Sequence, residues 1–246
     1  MTEQTTARRV QRVRHELKRR ELQVKHVEAV GPHFRRVTFT GDALVDFVSA
    51  SFDDHIKLIL DAGAGEPVMR DHTPRRFDTA ALELDIEFAL HGDGPAANWA
   101  AQAAPGQRVT IGGPRGSFLV PIDVDWHLLI GDETALPAVA HRLEELPAGT
   151  RAIVRMSVAD PADRRALPSA AEVDLKWFDS DGALLADTQA LALPAGDGYA
   201  WCAGEAAVTA ALRRVLVDDK GHDRHAIRAA AYWKRGAIAH HENLDG

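Results

Sequence analysis

The sequence predicts two domains in tandem, an antiparallel β-barrel followed by an α/β domain built on a parallel sheet. Short alternating apolar runs bounded by Gly and Pro fill the first half. After Pro121, apolar runs alternate with helical patterns instead. The length of 246 residues suffices for two such domains. We therefore predict a basic arm over 1–20, a barrel domain over 21–122 and an α/β domain over 123–246.

The predicted barrel strands follow one another with turn signals between them. They are 24–30, 37–39, 55–60, 84–90 and 109–111. In the run 55–60, Ile56, Leu58 and Leu60 share one face, and Lys57 lies on the other. A single helix is predicted among these strands, over 95–104, because a proline stands at its favoured first position.

Charge is distributed unevenly along the chain. Residues 1–36 carry ten Lys and Arg and four Glu, a net charge of +6, so with −7 for the whole chain the remainder carries −13. We predict a short basic helix over 7–20 in a solvated arm. Nucleic-acid binding is disfavoured, because the arm lacks interleaved aromatic residues and the acidic remainder would repel phosphate.

The second half alternates strands and helices. The predicted strands are 126–130, 152–158, 173–178, 199–203 and 227–233, and the predicted helices are 134–146, 184–193 and 205–217. Asp132 or Thr134 is expected to cap the first helix. This order predicts a parallel sheet covered on both faces.

Cysteine and hydropathy exclude several classes. Cys202 stands alone, which rules out an internal disulfide framework, a Cys-ligated zinc site and a Cys-held iron–sulfur cluster. No run approaches the ~20 apolar residues of a membrane span, and the polar N-terminus is unlike a secretory signal. We expect a cytoplasmic protein without membrane insertion. The pairs His222/His225 and His240/His241 are read as solvated loop residues, and no metal site is predicted.

Five segments carry candidate chemistry. They are RDHTPR (70–75), HGDGPAANWA (91–100), GDETALP (131–137), WCAGE (201–205) and YWKRG (232–236). The first offers arginines for phosphate and a ring for stacking, although such an Arg-rich loop is more often a solvated turn. The second places a Gly-rich turn before a helix N-terminus, which suits an anion or plain packing. The third follows the first α/β strand, where such folds bind ligands, and the G-x-G-x-x-G fingerprint is absent.

In this order the five motifs resemble the siderophore-interacting proteins over about residues 20–236. These are flavin-dependent ferric-siderophore reductases with a ferredoxin-NADP-reductase-like fold. The resemblance implies non-covalent FAD against the barrel, electrons from NAD(P)H or a ferredoxin, and reduction of siderophore-bound Fe(III). It implies no residue acting as a general acid, general base or nucleophile.

The resemblance also implies the site residues. The cofactor-binding set is Arg70, His72, Thr73, His91, Gly94, Pro95, Ala96, Ala97 and Thr134. A basic trio, Lys57, Arg115 and Lys234, is expected to hold an anionic substrate. The family usually has Tyr in place of His72, and often Ser in place of Ala97, so flavin affinity or potential is expected to differ here.

Two other functions stay open. One is an NAD(P)H:flavin or ferredoxin-type reductase with another acceptor, since the fold supports several. The other is a flavin-containing protein that binds ferric siderophore without turnover.

Overall fold

The computed structural model describes residues 10–60, 66–90 and 94–237, and the backbone of 242–243. Its N-terminal half consists of strands, with one helix. They are β1 (Gln11–Arg14), β2 (Arg19–Gly31), β3 (Phe34–Thr40), β4 (Ile56–Leu60), β5 (Val68–His72), β6 (Pro74–Asp78), β7 (Glu83–Ala89), α1 (Pro95–Ala101), β8 (Arg108–Gly112) and β9 (Gly116–Leu119).

Seven of these strands form one antiparallel sheet in the order β5-β4-β8-β2-β3-β7-β6. The two edge strands, β5 and β6, are consecutive in the chain and only Thr73 separates them. Because one residue joins the two edges, the sheet must curl until they meet. This confirms the predicted barrel class. The sheet's inner face is filled as the alternation in β4 predicts, with Ile56, Leu58 and Leu60 buried and Lys57 exposed.

The predicted helix over 7–20 is wrong for the residues described. Gln11–Arg14 is the strand β1, which pairs antiparallel with β9, and β2 begins at Arg19. The Arg12 guanidinium lies over the Phe118 ring, 5.4 Å from its centroid. Pairing with the free edge of β9 outweighs the helix propensity of this basic segment. From residue 11 onward the arm is therefore anchored by backbone pairing.

The C-terminal half alternates strands and helices as predicted. Its elements are β10 (Trp126–Gly131), α2 (Leu136–Glu145), β11 (Arg151–Ser157), β12 (Glu172–Phe178), α3 (Asp181–Ala190), β13 (Gly198–Glu205), α4 (Ala206–Arg214), β14 (Ile227–Trp233) and β15 (Glu242–Asn243). Five strands run parallel in the order β12-β11-β10-β13-β14, and β15 pairs antiparallel beyond β14. The order reverses between β10 and β13, which opens a ligand crevice at their carboxyl ends.

Two helices of this half have ends that differ from the sequence prediction. α3 begins three residues before the predicted 184, because the Ser180 hydroxyl accepts a hydrogen bond from the Ala183 amide (3.3 Å). α4 ends at Arg214 and continues as a π-turn over Val215–Asp219. Within the described residues, no helix combines the length and apolar character that crossing a bilayer requires.

One hydrophobic cluster crosses the boundary between the two halves. Phe34 and Phe52 from the barrel side pack with Leu136 and Trp201 from the α/β side. The Phe52 and Trp201 rings meet edge to face, with centroids 5.4 Å apart. The two halves therefore share a buried core along their seam.

Candidate functional site

A cavity of about 170 Å³ opens at the seam between the barrel and the α/β half. We call it the seam cavity. It is lined by Phe34, His55, Asp71, His72, Thr73, Glu87, Ala89, Glu133, Thr134, Pro137 and Tyr232. Three residues of the predicted cofactor-binding set, His72, Thr73 and Thr134, therefore lie together here.

The His72 ring is the least satisfied polar group of this wall. It packs against Phe88 with ring centroids 4.5 Å apart. Its Nε2 is sealed from solvent and has no hydrogen-bond partner among the described residues. Burial lowers the pKa of His72 to about 4, despite the opposing charge of Asp71. At neutral pH the cavity therefore presents an uncharged imidazole.

Opposite His72, Tyr232 reaches across the seam from β14. Its hydroxyl is hydrogen-bonded to the side chain of Thr73, the residue that joins the two edges of the barrel sheet. Burial raises the pKa of Tyr232, so the hydroxyl stays protonated near neutral pH. The last parallel strand, β14, is therefore held against Thr73, where the two edges of the barrel sheet meet.

Asp132 joins the carboxyl ends of three parallel strands. Its carboxylate accepts hydrogen bonds from the Thr134 amide (2.9 Å), the Glu205 amide (2.8 Å) and the Trp233 indole Nε1 (2.8 Å). Burial raises the pKa of Asp132. Gly204 permits this approach, because its φ is +144° and an added Cβ would lie 2.4 Å from the Asp132 Oδ2. The GDET, CAGE and YWKRG motifs therefore meet at one carboxylate beside the seam cavity.

Glu87, one of the acidic residues that line the seam cavity, is paired with arginines. Glu87 is fully buried, and its carboxylate pairs with Arg36 (2.7 Å), with Arg75 (3.6 Å) and with Arg165 of the α/β half. Arg75 also binds Glu144 through both terminal nitrogens, at 2.8 and 2.5 Å. The Glu87–Arg165 and Arg75–Glu144 pairs cross the seam, and the second of them fixes the position of α2 against the barrel.

A second cavity of about 440 Å³ lies on the outer face of the barrel sheet. We call it the basic cavity. It is lined by Leu17, Arg19, His55, Lys57, Ile59, Met69, Asp71, Gly112, Gly113 and Arg115. Lys57 and Arg115 of the predicted trio are both here, and the Lys57 ammonium lies 2.6 Å from the Asp71 carboxylate. Because His55 and Asp71 line both cavities, the two adjoin.

The other predicted residues that the structure describes do not line either cavity. Lys234 is exposed after β14, and the Arg70 guanidinium donates to the Met69 carbonyl (2.8 Å). Gly94 caps α1 through its backbone alone, and an added Cβ there would meet nothing within 4 Å. The residues that follow it, Pro95, Ala96 and Ala97, form the first turn of α1. His91 lies outside the described residues.

Sequence reasoning did not assign several lining residues with polar side chains, among them Arg19, His55, Asp71, Glu87 and Tyr232. Tyr232 stands in a motif that was singled out, and only the strand register shows that it reaches the seam. In the residues described here, no group of three or more His, Cys, Asp and Glu side chains could hold a metal ion. Cys202 is buried, and burial raises the pKa of its thiol to about 12, so it stays protonated.

Comparison with known proteins gives consistent matches along the chain. The family model described as siderophore-interacting protein matches residues 124–236, and the one described as siderophore-interacting FAD-binding domain matches 23–66 and 61–118. The NADPH-dependent ferric-chelate reductase of Escherichia coli (strain K12) is 36% identical over 250 residues, which cover 93% of this chain and 98% of that protein. The ferric vibriobactin reductase ViuB of Vibrio cholerae is 31% identical over 87% of this chain and 89% of its own. The crystal structure of a siderophore utilization protein from T. fusca has a TM-score of 0.85 at 33% identity, covering 93% of this chain and 97% of that one.

Proposed function

The chain belongs to the siderophore-interacting protein family, and we propose that it is an FAD-dependent reductase of ferric siderophores that takes its electrons from NAD(P)H. One structural observation carries this function. A cavity with an aromatic and hydroxyl-bearing wall adjoins a basic cavity, and the two share His55 and Asp71. A bound ring system and a bound anionic chelate would therefore be neighbours.

The residues present fit a flavin at the seam cavity. The unpartnered, buried Nε2 of His72 is a polar group that a ligand would satisfy, and the space around Gly94 is open. We propose that His72, Thr73 and Thr134 hold the flavin ring side. We assign Arg70 and the turn from Gly94 to Ala97, together with His91, to its phosphates. FAD supplies the exchange between a two-electron hydride donor and the one-electron acceptor Fe(III).

The protein's own part is to position and shield. The imidazole of His72 and the hydroxyl of Tyr232 are both uncharged near neutral pH. The hydrogen bonds at Asp132 fix the strand ends on the donor side. Fe(III) takes up only electrons, and the one proton left over for each hydride can pass to water, so no described side chain needs to accept or donate a proton.

Lys57 and Arg115 are proposed to attract the anionic ferric chelate, with Lys234, exposed after β14, as the third cation. The whole protein carries −7, so binding depends on such a local concentration of positive charge. Asp71 neutralises Lys57 in the free protein, and a chelate oxygen would compete with that carboxylate. Ferredoxin as an alternative donor and a cytoplasmic location remain predictions from the sequence.

Anaerobic absorbance spectra test this function. The purified, flavin-loaded protein should lose its yellow colour with NADPH or NADH and regain it on addition of a ferric siderophore, with Fe(II) captured by a chromogenic chelator. Bleaching without reoxidation by the siderophore would favour another acceptor. Binding without bleaching by either nucleotide or by reduced ferredoxin would favour the non-catalytic carrier, and protein purified without flavin would contradict all three.

Variants test the basic cavity. Lys57→Ala and Arg115→Ala should each raise the KM for an anionic ferric chelate by about fivefold to tenfold and leave that for a neutral chelate unchanged. Lys176→Ala is the matched control, since Lys176 is also exposed and pairs with an aspartate, Asp187, at 3.1 Å far from the cavity. An equal rise of KM in the control, or for the neutral chelate, would refute the assignment.

A further inference from the structure

Three neighbouring strands place Lys57, Gly112 and Arg19 in one row across the floor of the basic cavity. Gly112 on β8 is the register partner of Lys57 on β4 and of Arg19 on β2. Paired residues project to the same face of a sheet, so both cations flank the glycine on the outer face. With strands ~4.8 Å apart, the backbones of Lys57 and Arg19 lie about 10 Å apart, and no side chain stands between them.

The backbone conformation of Gly112 does not require glycine, since its φ is not positive and a residue with a side chain could adopt it. The absence of a side chain there does keep the floor of the cavity open. An added Cβ would meet only the Ile59 Cδ1, at 4.0 Å, so the space above it belongs to the cavity. Gly112 is the last residue of β8 and is paired on both sides, and a glycine within a sheet often marks a close approach of a ligand. The position therefore acts as a slot between two cations.

Arg19 is the less committed of these two cations. It is exposed and lines the cavity, and the described residues give its guanidinium no side-chain hydrogen bond or ion pair. Lys57 is held by Asp71 at 2.6 Å. Arg20, the next residue, points to the opposite side and pairs with Asp46 at 2.8 Å. Of the neighbouring pair, only Arg19 is available to a ligand in the cavity.

We propose that Arg19 and Gly112 are substrate-binding residues, and that a planar aromatic arm of an anionic ferric chelate lies over Gly112 between Arg19 and Lys57. The proposal rests on the proposed function and names the substrate class of the same site. The two cations meet the anionic oxygens of such an arm, and Ile59 and Met69 in the next row supply an apolar contact for its ring. The first residue of β2 thus contributes directly to substrate choice.

Binding of redox-inert gallium(III) chelates tests the proposal apart from turnover. The flavin-loaded protein is titrated with a triply negative gallium tris-catecholate and with a neutral gallium trihydroxamate. Arg19→Gln should raise the Kd of the negative chelate about tenfold and leave that of the neutral chelate unchanged. Arg108→Gln is the matched control, because Arg108 is exposed on the same face of β8 but outside the cavity.

Gly112→Val tests the slot sterically. A β-branched residue suits a strand, so the variant should fold and retain flavin, yet its side chain fills the space between the cations. The Kd of the tris-catecholate should rise at least about tenfold, and Gly112→Ala should give a smaller rise.

Three results would overturn the proposal. They are equal losses in Arg19→Gln and Arg108→Gln, unchanged tris-catecholate binding in Gly112→Val, and no binding of that chelate by the wild type. Reduction of the ferric tris-catecholate by the wild type with NADPH is measured in parallel. Its failure would refute the proposed function, whereas a failure confined to the gallium comparison would refute only the roles of Arg19 and Gly112.

Discussion

The buried pair Asp53–Arg228 holds the seam, and Asp53→Asn should destabilise the whole protein. The Asp53 carboxylate accepts from the Arg228 Nε at 2.5 Å and from the Trp201 indole at 3.3 Å. The two charged side chains are only 2% and 10% exposed. Asp53→Asn removes this carboxylate from the buried guanidinium, and breaking a buried ion pair from one side costs about 3–5 kcal/mol. For a protein of this size that is a fall in Tm of roughly 6–20 °C.

Thermal unfolding followed by circular dichroism and by tryptophan fluorescence measures this loss. A double-mutant cycle with Arg228→Met isolates the pair, since the double variant should lose less stability than the sum of the two single variants. Arg76→Gln is the control, because Arg76 pairs with Asp85 at 3.2 Å but is 59% exposed and should cost less than about 1 kcal/mol. A loss in Asp53→Asn no larger than in this control, or strict additivity in the cycle, would refute the reasoning.

Three further changes test other features. Burial raises the pKa of Asp54 to about 6 from 3.8, so the folded protein binds this proton more tightly than the unfolded chain. As pH rises from about 4 to about 7, the unfolding free energy of the wild type should therefore fall by about 3 kcal/mol relative to that of Asp54→Asn, as measured by denaturant titration. A difference between the two proteins that does not change with pH would contradict this. Asp71→Asn releases Lys57 from its partner at 2.6 Å. The Kd of an anionic gallium chelate should therefore fall about threefold to tenfold, while that of a neutral chelate stays constant. An unchanged Kd for the anionic chelate would count against the role of Lys57. Gly204→Ala brings a Cβ to 2.4 Å from the Asp132 Oδ2 at a φ of +144° and should lower the unfolding free energy by at least about 2 kcal/mol. Gly221→Ala is the control: its added Cβ meets nothing within 4 Å, so the loss should be about 1 kcal/mol or less. Equal Tm shifts in the two variants would exclude the clash.

The sequence predicted those elements whose signal is local. The alternation in 55–60 predicted which face of β4 is buried, and the apolar run 227–233 matched β14 at both ends. Both elements are bounded by turn residues and buried by their own pattern. The same reasoning found the motif of Asp132, because ligands bind where parallel strands end.

The remaining features depend on pairing between distant residues, which a single sequence does not carry. The segment 11–14 has no apolar alternation and becomes a strand only because β9 offers it a free edge. The resemblance names Thr73, but its hydrogen bond with Tyr232 depends on the closure of the barrel sheet and on the position of β14. Arg19 looked like part of a solvated arm, and only the register across β8 places it beside Gly112.

The shared core at the seam makes each half dependent on the other for burial of its apolar surface. Phe34 and Phe52 are covered by side chains of the other half, including Leu136 and Trp201. Either half expressed alone would expose these large apolar surfaces to water, which favours aggregation over folding. Exchanging one half with that of a relative would require matching partners on both sides of the junction. We therefore expect the two halves to fold together, and substitutions confined to the cavity walls to alter the choice of chelate without disturbing this core.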